Sequence, residues 1–259
     1  MRKIAFALLT LGLVVAAAPS MAANLVYDSF SYPNGNLVPN GGWANYSGAA
    51  VDIQVVGGQV TGGAIGNPAN DDHILFAAQP LTAKTYACFD VSIPAVAAAP
   101  KAIYFAALKD GGASNLVSRV YVLPLSNGGW TFGLSHSSTS ATAGVVPWTA
   151  ALSYGTTYRI VINYDPVAKS STMWVNPTVE SDPSVTISNS AIAALAVSGF
   201  GLRQSNSAST LPTSPVYTGT ADWNWVVDNV GVGQSFVDAC EVAVPAKPAT
   251  WGQIKGTYR

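Results

Sequence analysis

The chain has 259 residues, with 12 Lys and Arg against 13 Asp and Glu and a formal net charge of −1. Charged residues make up only 10% and apolar ones 49%, with 24 Gly and 16 Pro, which excludes a disordered chain and leaves no broad positive field for a nucleic-acid partner. Val, Thr, Ser, Gly and Tyr recur where a helical bundle would use Leu, Glu and Lys, so one large all-β domain is expected.

The N-terminus, MRKIAFALLTLGLVVAAAPSMAA, reads as a bacterial-type secretory leader over residues 1–22. Arg2 and Lys3 supply the positive start, Ile4 to Ala18 the apolar stretch, and Ser20-Met21-Ala22 the small-x-small exit, with cleavage near Ala22. The apolar run is short for a comfortable span of ~20 residues, and no Cys follows it to carry a lipid. Loss of Arg2 and Lys3 takes 12 basic residues to 10 against 13 acidic, a net charge of −3. The mature protein is expected outside the cytoplasm: secreted, at the cell surface or in the periplasm, with no membrane span.

From Leu25 onward the chain reads as short strands. Asp71-Asp72-His73 looks like a polar loop before the strand HILF. TYACFDVSI (85–93) alternates, with Ala87, Phe89, Val91 and Ile93 on one face and Tyr86, Cys88, Asp90 and Ser92 on the other. IYFAALK (103–109), SRVYVLPL (118–125) and WTFGLSH (130–136) follow at short spacing. YRIVINYD (158–165) and STMWVNP (171–177) read as a hairpin around Asp165-Pro166-Val167-Ala168-Lys169. Ser190–Val197 hints at a helical turn, and VSGFGLRQS (197–205) and WNWVVDNVGVG (223–233) close the series. Such a density of strands without intervening helices implies an antiparallel sandwich or jelly roll over residues 23–240. Cys88 and Cys240 are the only cysteines, an even count that in an oxidising compartment reads as a disulfide. Residues 241–259 form a separate tail: Pro245 and Pro248 break it from the core, and Trp251, Ile254 and Tyr258 recur at helical spacing.

The blocks YDSFSYPNGNLVPNGGWANYSG, YRIVINYDPVAKSSTMWVNP, FGLRQS and VVDNVGVG, in that order, resemble concanavalin A-like lectin/glucanase (laminin-G-like jelly-roll) domains of secreted bacterial proteins. The resemblance implies a jelly-roll β-sandwich, a fold that hosts lectins, glycosidases, lyases and interaction modules alike. Laminarinase-like members carry Glu-x-Asp-x-x-Glu on one strand. This chain has only Glu180, in the loop VNPTVESDPS, and Glu241, beside Cys240. The Gln-x-His strand of jelly-roll alginate lyases is missing too, since Leu134-Ser135 precede His136 and Asp71-Asp72 precede His73.

The reading is therefore a non-catalytic module that binds a polysaccharide or cell-surface glycan or mediates adhesion. The alternatives are a self-associating envelope or matrix protein and a divergent polysaccharide hydrolase or lyase. Most tryptophans fall in strand patterns and are expected in the core. Trp148, in a Pro- and Gly-rich stretch, and Tyr217, in LPTSPVYTGT, are the expected sugar platforms, with Arg203 and Gln204 satisfying hydroxyls. A neutral or weakly acidic glycan is expected from the net charge. No cofactor is required. A structural Ca²⁺ is expected between Asp28 in the first strand and Asp228 in the last, because jelly rolls of this superfamily often join those strands and carboxylates suit a hard cation.

Overall fold

The computed structural model describes residues 24–48, 51–63, 70–136, 144–204 and 219–241, so the leader, Tyr217 and the tail beyond residue 241 lie outside the described residues. The early strands are β1 (Val26–Asp28), β2 (Gly35–Asn36), β3 (Trp43–Ser47), β4 (Gln54–Val56), β5 (Gln59–Gly63) and β6 (Asp71–Leu75). The middle of the chain forms β7 (Thr85–Ser92), β8 (Ile103–Lys109), β9 (Leu116–Pro124), β10 (Trp130–Ser135) and β11 (Val146–Pro147). Then come β12 (Thr157–Asp165), β13 (Ser170–Val175), β14 (Ser184–Ser188), β15 (Gly199–Leu202), β16 (Asn224–Gly233) and one short helix, α1 (Phe236–Cys240).

These strands make two antiparallel sheets packed as a jelly-roll sandwich. A nine-stranded sheet runs β14-β13-β12-β7-β16-β5-β4-β2, with β1 paired to β16, and a seven-stranded sheet runs β11-β10-β9-β8-β15-β6-β3. Alternation decides which side chains meet between them. Phe89, Ile160, Ile162, Trp225 and Val227 come from the first sheet, and Phe105, Phe132, Phe200 and Leu202 from the second, all buried in one core. Trp43, Trp130, Trp223 and Trp225 belong to that core, as the strand positions of the last three imply. Phe105 sits at its centre, with ring centroids 6.2 Å from Phe89, 6.1 Å from Phe132 and 6.0 Å from Trp223. Each such fully buried aromatic contributes roughly 1.5–3 kcal/mol of burial free energy.

Two details depart from the sequence reading. Asp71-Asp72-His73 is no loop: all three residues lie within β6, paired to β15 and β3. Ser190–Val197 holds a turn without a helix, and the helix is instead α1. Ser235 caps α1 by accepting from the Asp238 backbone N–H. The helix packs on the outer face of the nine-stranded sheet, and the sequence of β16 explains how closely. Val230 and Val232 enter the core while Gly231 and Gly233 face outward. A Cβ on Gly231 would stand 2.1 Å from the Ala239 carbonyl oxygen, so only glycine lets the helix backbone rest on the strand. Cys240 at the end of α1 is joined to Cys88 of β7 by a disulfide across 152 residues of chain, with a Cα–Cα distance of 5.2 Å.

Candidate functional site

The outer face of the seven-stranded sheet gathers an unusual share of the charged and aromatic side chains. Crossing the strands in the order β3, β6, β15, β8, β9, it presents Tyr46, then Asp71 and His73, then Arg203 just past β15, then Tyr104 and Lys109, then Arg119 and Tyr121. Among the described residues Lys109, Arg119 and Arg203 share this face with Asp71, in a chain whose overall charge is negative.

Backbone irregularities aim these side chains. Ser118 adopts φ 50° at a register shift between β8 and β9. Val117 and Val120 both reach the core, and the extra residue turns Arg119 outward instead of inward. Ser118 itself stays between the sheets, donating to the Asn163 carbonyl at 2.8 Å. A second shift between β3 and β6 at Asn45/Ser47 sets Tyr46 over His73, with centroids 5.2 Å apart and planes 26° apart.

Lys109 reaches His73 across an intervening strand. Its Nζ lies 2.8 Å from His73 Nδ1, donates to the Asp110 carbonyl at 2.8 Å, and sits 4.5 Å from the Tyr46 ring centroid. β15 between them places Gly199 and Gly201 on the outer face, and a Cβ at Gly201 would stand 3.1 Å from Lys109 Cδ and 3.3 Å from the Tyr46 ring. The Gly-Phe-Gly-Leu order thus supplies two core side chains inward and a channel for the lysine stem outward. Burial, and then the Lys109 charge, push the His73 imidazole down to about 4, so at neutral pH it is the neutral acceptor for Lys109. Burial likewise lowers the Lys109 ammonium, opposed by Asp110.

Tyr104 is held between two guanidinium groups. Arg119 Cζ lies 4.7 Å and Arg203 Cζ 4.5 Å from its ring centroid, cation–π contacts that fix both arginines on neighbouring strands. Arg203 is anchored by its backbone, whose N–H donates to the Phe105 carbonyl and whose carbonyl accepts from Trp225 Nε1. Its Nε lies 3.9 Å from Asp71 Oδ2. Lys109, His73, Arg119 and Tyr121 form a buried floor, the Arg203 side chain is nearly as buried at 10% exposure, and Tyr46 and Tyr104 remain partly open above it. Burial holds the Tyr46 hydroxyl well above its ordinary value and raises that of Tyr104, so both remain phenols that donate hydrogen bonds.

The expected site residues fare differently. Arg203 belongs to this face. Gln204 does not serve it, because its side chain is buried and donates to the Val51 carbonyl. Trp148 is half-buried at the β11 edge and packs against the core, so it is not an open platform. The structure sets the Asp28 and Asp228 carboxylates apart. A register shift between Asp228 and Gly231, with Asn229 at φ 52°, sends the two side chains to opposite faces of the nine-stranded sheet. Asp28 points between the sheets, accepting from Phe30 N–H at 2.7 Å, Tyr32 OH at 2.9 Å and Trp43 Nε1 at 2.7 Å. Asp228 lies outside, accepting from Gln59 Nε2 at 3.3 Å. Among the described residues no group of three or more His, Cys, Asp or Glu side chains is assembled for a metal.

The reading missed Tyr46, His73, Tyr104, Lys109, Arg119 and Tyr121. One signal was present in SRVYVLPL: Val120 and Val122 alternate with Arg119 and Tyr121, which phases the latter pair onto the outer face. Nothing local showed that β15 would lie between β8 and β6.

A concavity of about 490 Å³ lies on the opposite outer face, between α1 and the loop after β13. It brings Glu180 and Glu241 together, with Arg159, Phe236 and Val237. Glu180 Oε1 accepts from Tyr86 OH at 2.7 Å, and Arg159 is held in a bidentate pair with Asp90 at 2.9 and 3.2 Å.

No family model matches the sequence, and no curated protein does either. Among solved structures the chain is similar to a sialidase at 14% identity and a TM-score of 0.55, over 84% of this chain and 19% of that one. The chain therefore spans about a fifth of the sialidase's length. The CBM2 module of the Lactobacillus casei BL23 phage J-1 evolved Dit aligns at 12% identity and a TM-score of 0.48, over 81% of this chain and 96% of the module. An alginate lyase aligns at 12% identity and 0.46, over 82% and 95%. At these identities the likeness is one of fold. Among the described residues no helix is long and apolar enough to cross a membrane.

Proposed function

We propose that the protein is an exported glycan-binding jelly roll that holds a polysaccharide on the outer face of its seven-stranded sheet without cleaving it. The observation that carries this reading is the pairing of partly open tyrosines with fixed donors: Tyr46 over His73 and Lys109, and Tyr104 between Arg119 and Arg203. An open phenol face receives the C–H face of a sugar, and hydroxyl, ammonium and guanidinium donors satisfy its oxygens; Tyr104, whose ring carries two guanidinium groups, offers its hydroxyl. Donors already fixed by stacking lose little freedom on binding. This surface takes the place of Trp148 and Gln204 in the expected site.

The test is retention of the mature protein by a panel of immobilised neutral and acidic polysaccharides. Wild type is expected to be retained by at least one of them, and Tyr104→Ala, with its fold checked by circular dichroism, to elute earlier. Failure of wild type on the whole panel would overturn the reading. It would favour the self-associating matrix protein, which size-exclusion chromatography across protein concentration would then reveal.

One observation favours a second reading, a divergent polysaccharide lyase. Tyr46 and His73 are stacked beside Lys109, with Arg203 acting on the Tyr46 phenol, the kinds of group that move a proton and neutralise a carboxylate in β-elimination. Formation of an unsaturated uronate product would establish it. The raised Tyr46 phenol and the engagement of His73 Nδ1 by Lys109 favour binding over proton abstraction.

A further inference from the structure

We propose that the concavity between α1 and the loop after β13 is the seat of the chain's own residues 242–259, whose basic and aromatic side chains are received by Glu180, Glu241 and the apolar wall of α1. The hollow is unfinished in two respects. Val179 is 51% exposed and Val237 54% exposed, and both line it beside Phe236. Large apolar side chains exposed singly need no partner, but two on the facing walls of one hollow mark a docking surface. Glu180 and Glu241 share those walls, and neither joins an ion pair among the described residues. Arg159, the cation in the described lining, is already committed to Asp90. The Tyr86 hydroxyl occupies one acceptor position of Glu180, of about four that a carboxylate offers.

Residues 242–259 carry the complement. Three of the twelve basic residues, Lys247, Lys255 and Arg259, lie there, and none of the thirteen acidic ones does. Trp251, Ile254 and Tyr258 supply the apolar surface. The segment follows directly on Glu241, which is on the rim of the hollow and has extended backbone at φ −76° and ψ 123°. Residues 242–250 span at most about 30 Å, so Trp251 is tethered within reach of the hollow at an effective concentration of about millimolar. A tether this short favours the chain's own cavity over that of a second copy. The disulfide to Cys88 fixes α1 as a wall for it.

The experiment is limited trypsin digestion and carbodiimide coupling of the mature full chain. Cleavage after Lys255 is expected to be about tenfold slower in wild type than in Val237→Asp, because proteolysis follows the population of the released segment. Trp251→Ala should lose the protection in the same way, Glu180→Gln part of it, and added salt should weaken it. Val167→Asp, at the β12–β13 turn and 70% exposed, should behave like wild type, and matching circular dichroism and melting curves keep folding out of the comparison. Carbodiimide should couple Lys247 or Lys255 to Glu180 within one chain. Equal cleavage of wild type and Val237→Asp would overturn the proposal. Coupling found only between two chains would overturn it in favour of exchange between copies, and coupling that leaves out Glu180 would overturn this cavity as the seat.

Discussion

The two outer faces of this sandwich solve opposite problems with similar material. The nine-stranded sheet covers its face: Cys88, Val161 and Trp174 pack under Phe236 and Ala239 of α1, and a disulfide closes the contact. Its main ion pair, Arg159 with Asp90, is internally satisfied. The seven-stranded sheet instead packs cations against aromatic rings, with one carboxylate among them. One face is finished by the chain itself, and on the other the buried Arg119 Nε finds no acceptor among the described residues. A stability-building surface and a ligand-seeking surface differ less in composition than in whether their polar groups find partners within the fold.

That contrast predicts that lesions on the covered face reduce stability and spare binding. The largest effect should come from Cys88→Ser with Cys240→Ser. Chain entropy for so long a loop sets an upper figure of about 5 kcal/mol, measurable as a lower urea midpoint, with polysaccharide retention unchanged below the transition. Loss of retention in the folded double variant would show the faces to be coupled.

Asp72 and His73 are neighbours on opposite faces of β6, and pH separates them. Burial raises the Asp72 carboxyl from its ordinary 3.8 to about 7. A raised acid contributes stability in full below 3.8 and loses it as pH rises to about 7. At roughly 1.4 kcal/mol per pH unit of displaced titration, Asp72→Asn should gain roughly 4 kcal/mol over wild type at alkaline pH. It should lose that advantage in acid. Parallel stability–pH curves for the two proteins would refute this.

Gly231→Ala should cost roughly 2 kcal/mol, because the new methyl group meets the Ala239 carbonyl, a rigid backbone atom. Chemical denaturation measures it, and faster reduction of the Cys88–Cys240 disulfide should accompany it. An unchanged midpoint would mean that α1 is not seated on β16.

His73 runs opposite to Asp72. Its depressed value means that stability is present above the ordinary 6.5 and is lost as pH falls toward about 4. His73→Gln should flatten wild type's decline across that window by roughly 3 kcal/mol, and glycan retention should become less acid-sensitive in step. The smallest effect is Arg159→Gln, about 0.5 kcal/mol, because the pair with Asp90 is solvent-exposed.

Much of the fold was legible because burial is local in a strand. Residues two apart share a face, so Ala87, Phe89 and Val91 announced a core face before any partner was known. The two cysteines announced a bond because there were only two. The site was less legible. Arg119 and Tyr121 alternate visibly with Val120 and Val122, but the bulge at Ser118 is what reverses the phase from Val117 onward. Asp28 and Asp228 were correctly placed on the first and last strands, which do pair through β1 and β16. One inserted residue at Asn229 was enough to turn them apart.

Composition and period-two patterning by themselves determined an all-β sandwich, because the choice of strand over helix and of inward over outward is made within a few residues. Strand order was decided only in three dimensions. Lys109 meets His73 because β15 lies between their strands with glycines outward, and Tyr104 meets Arg203 because residues about a hundred positions apart became neighbours. Such pairings are set by the total burial and hydrogen bonding of whole sheets, a sum that no single segment carries.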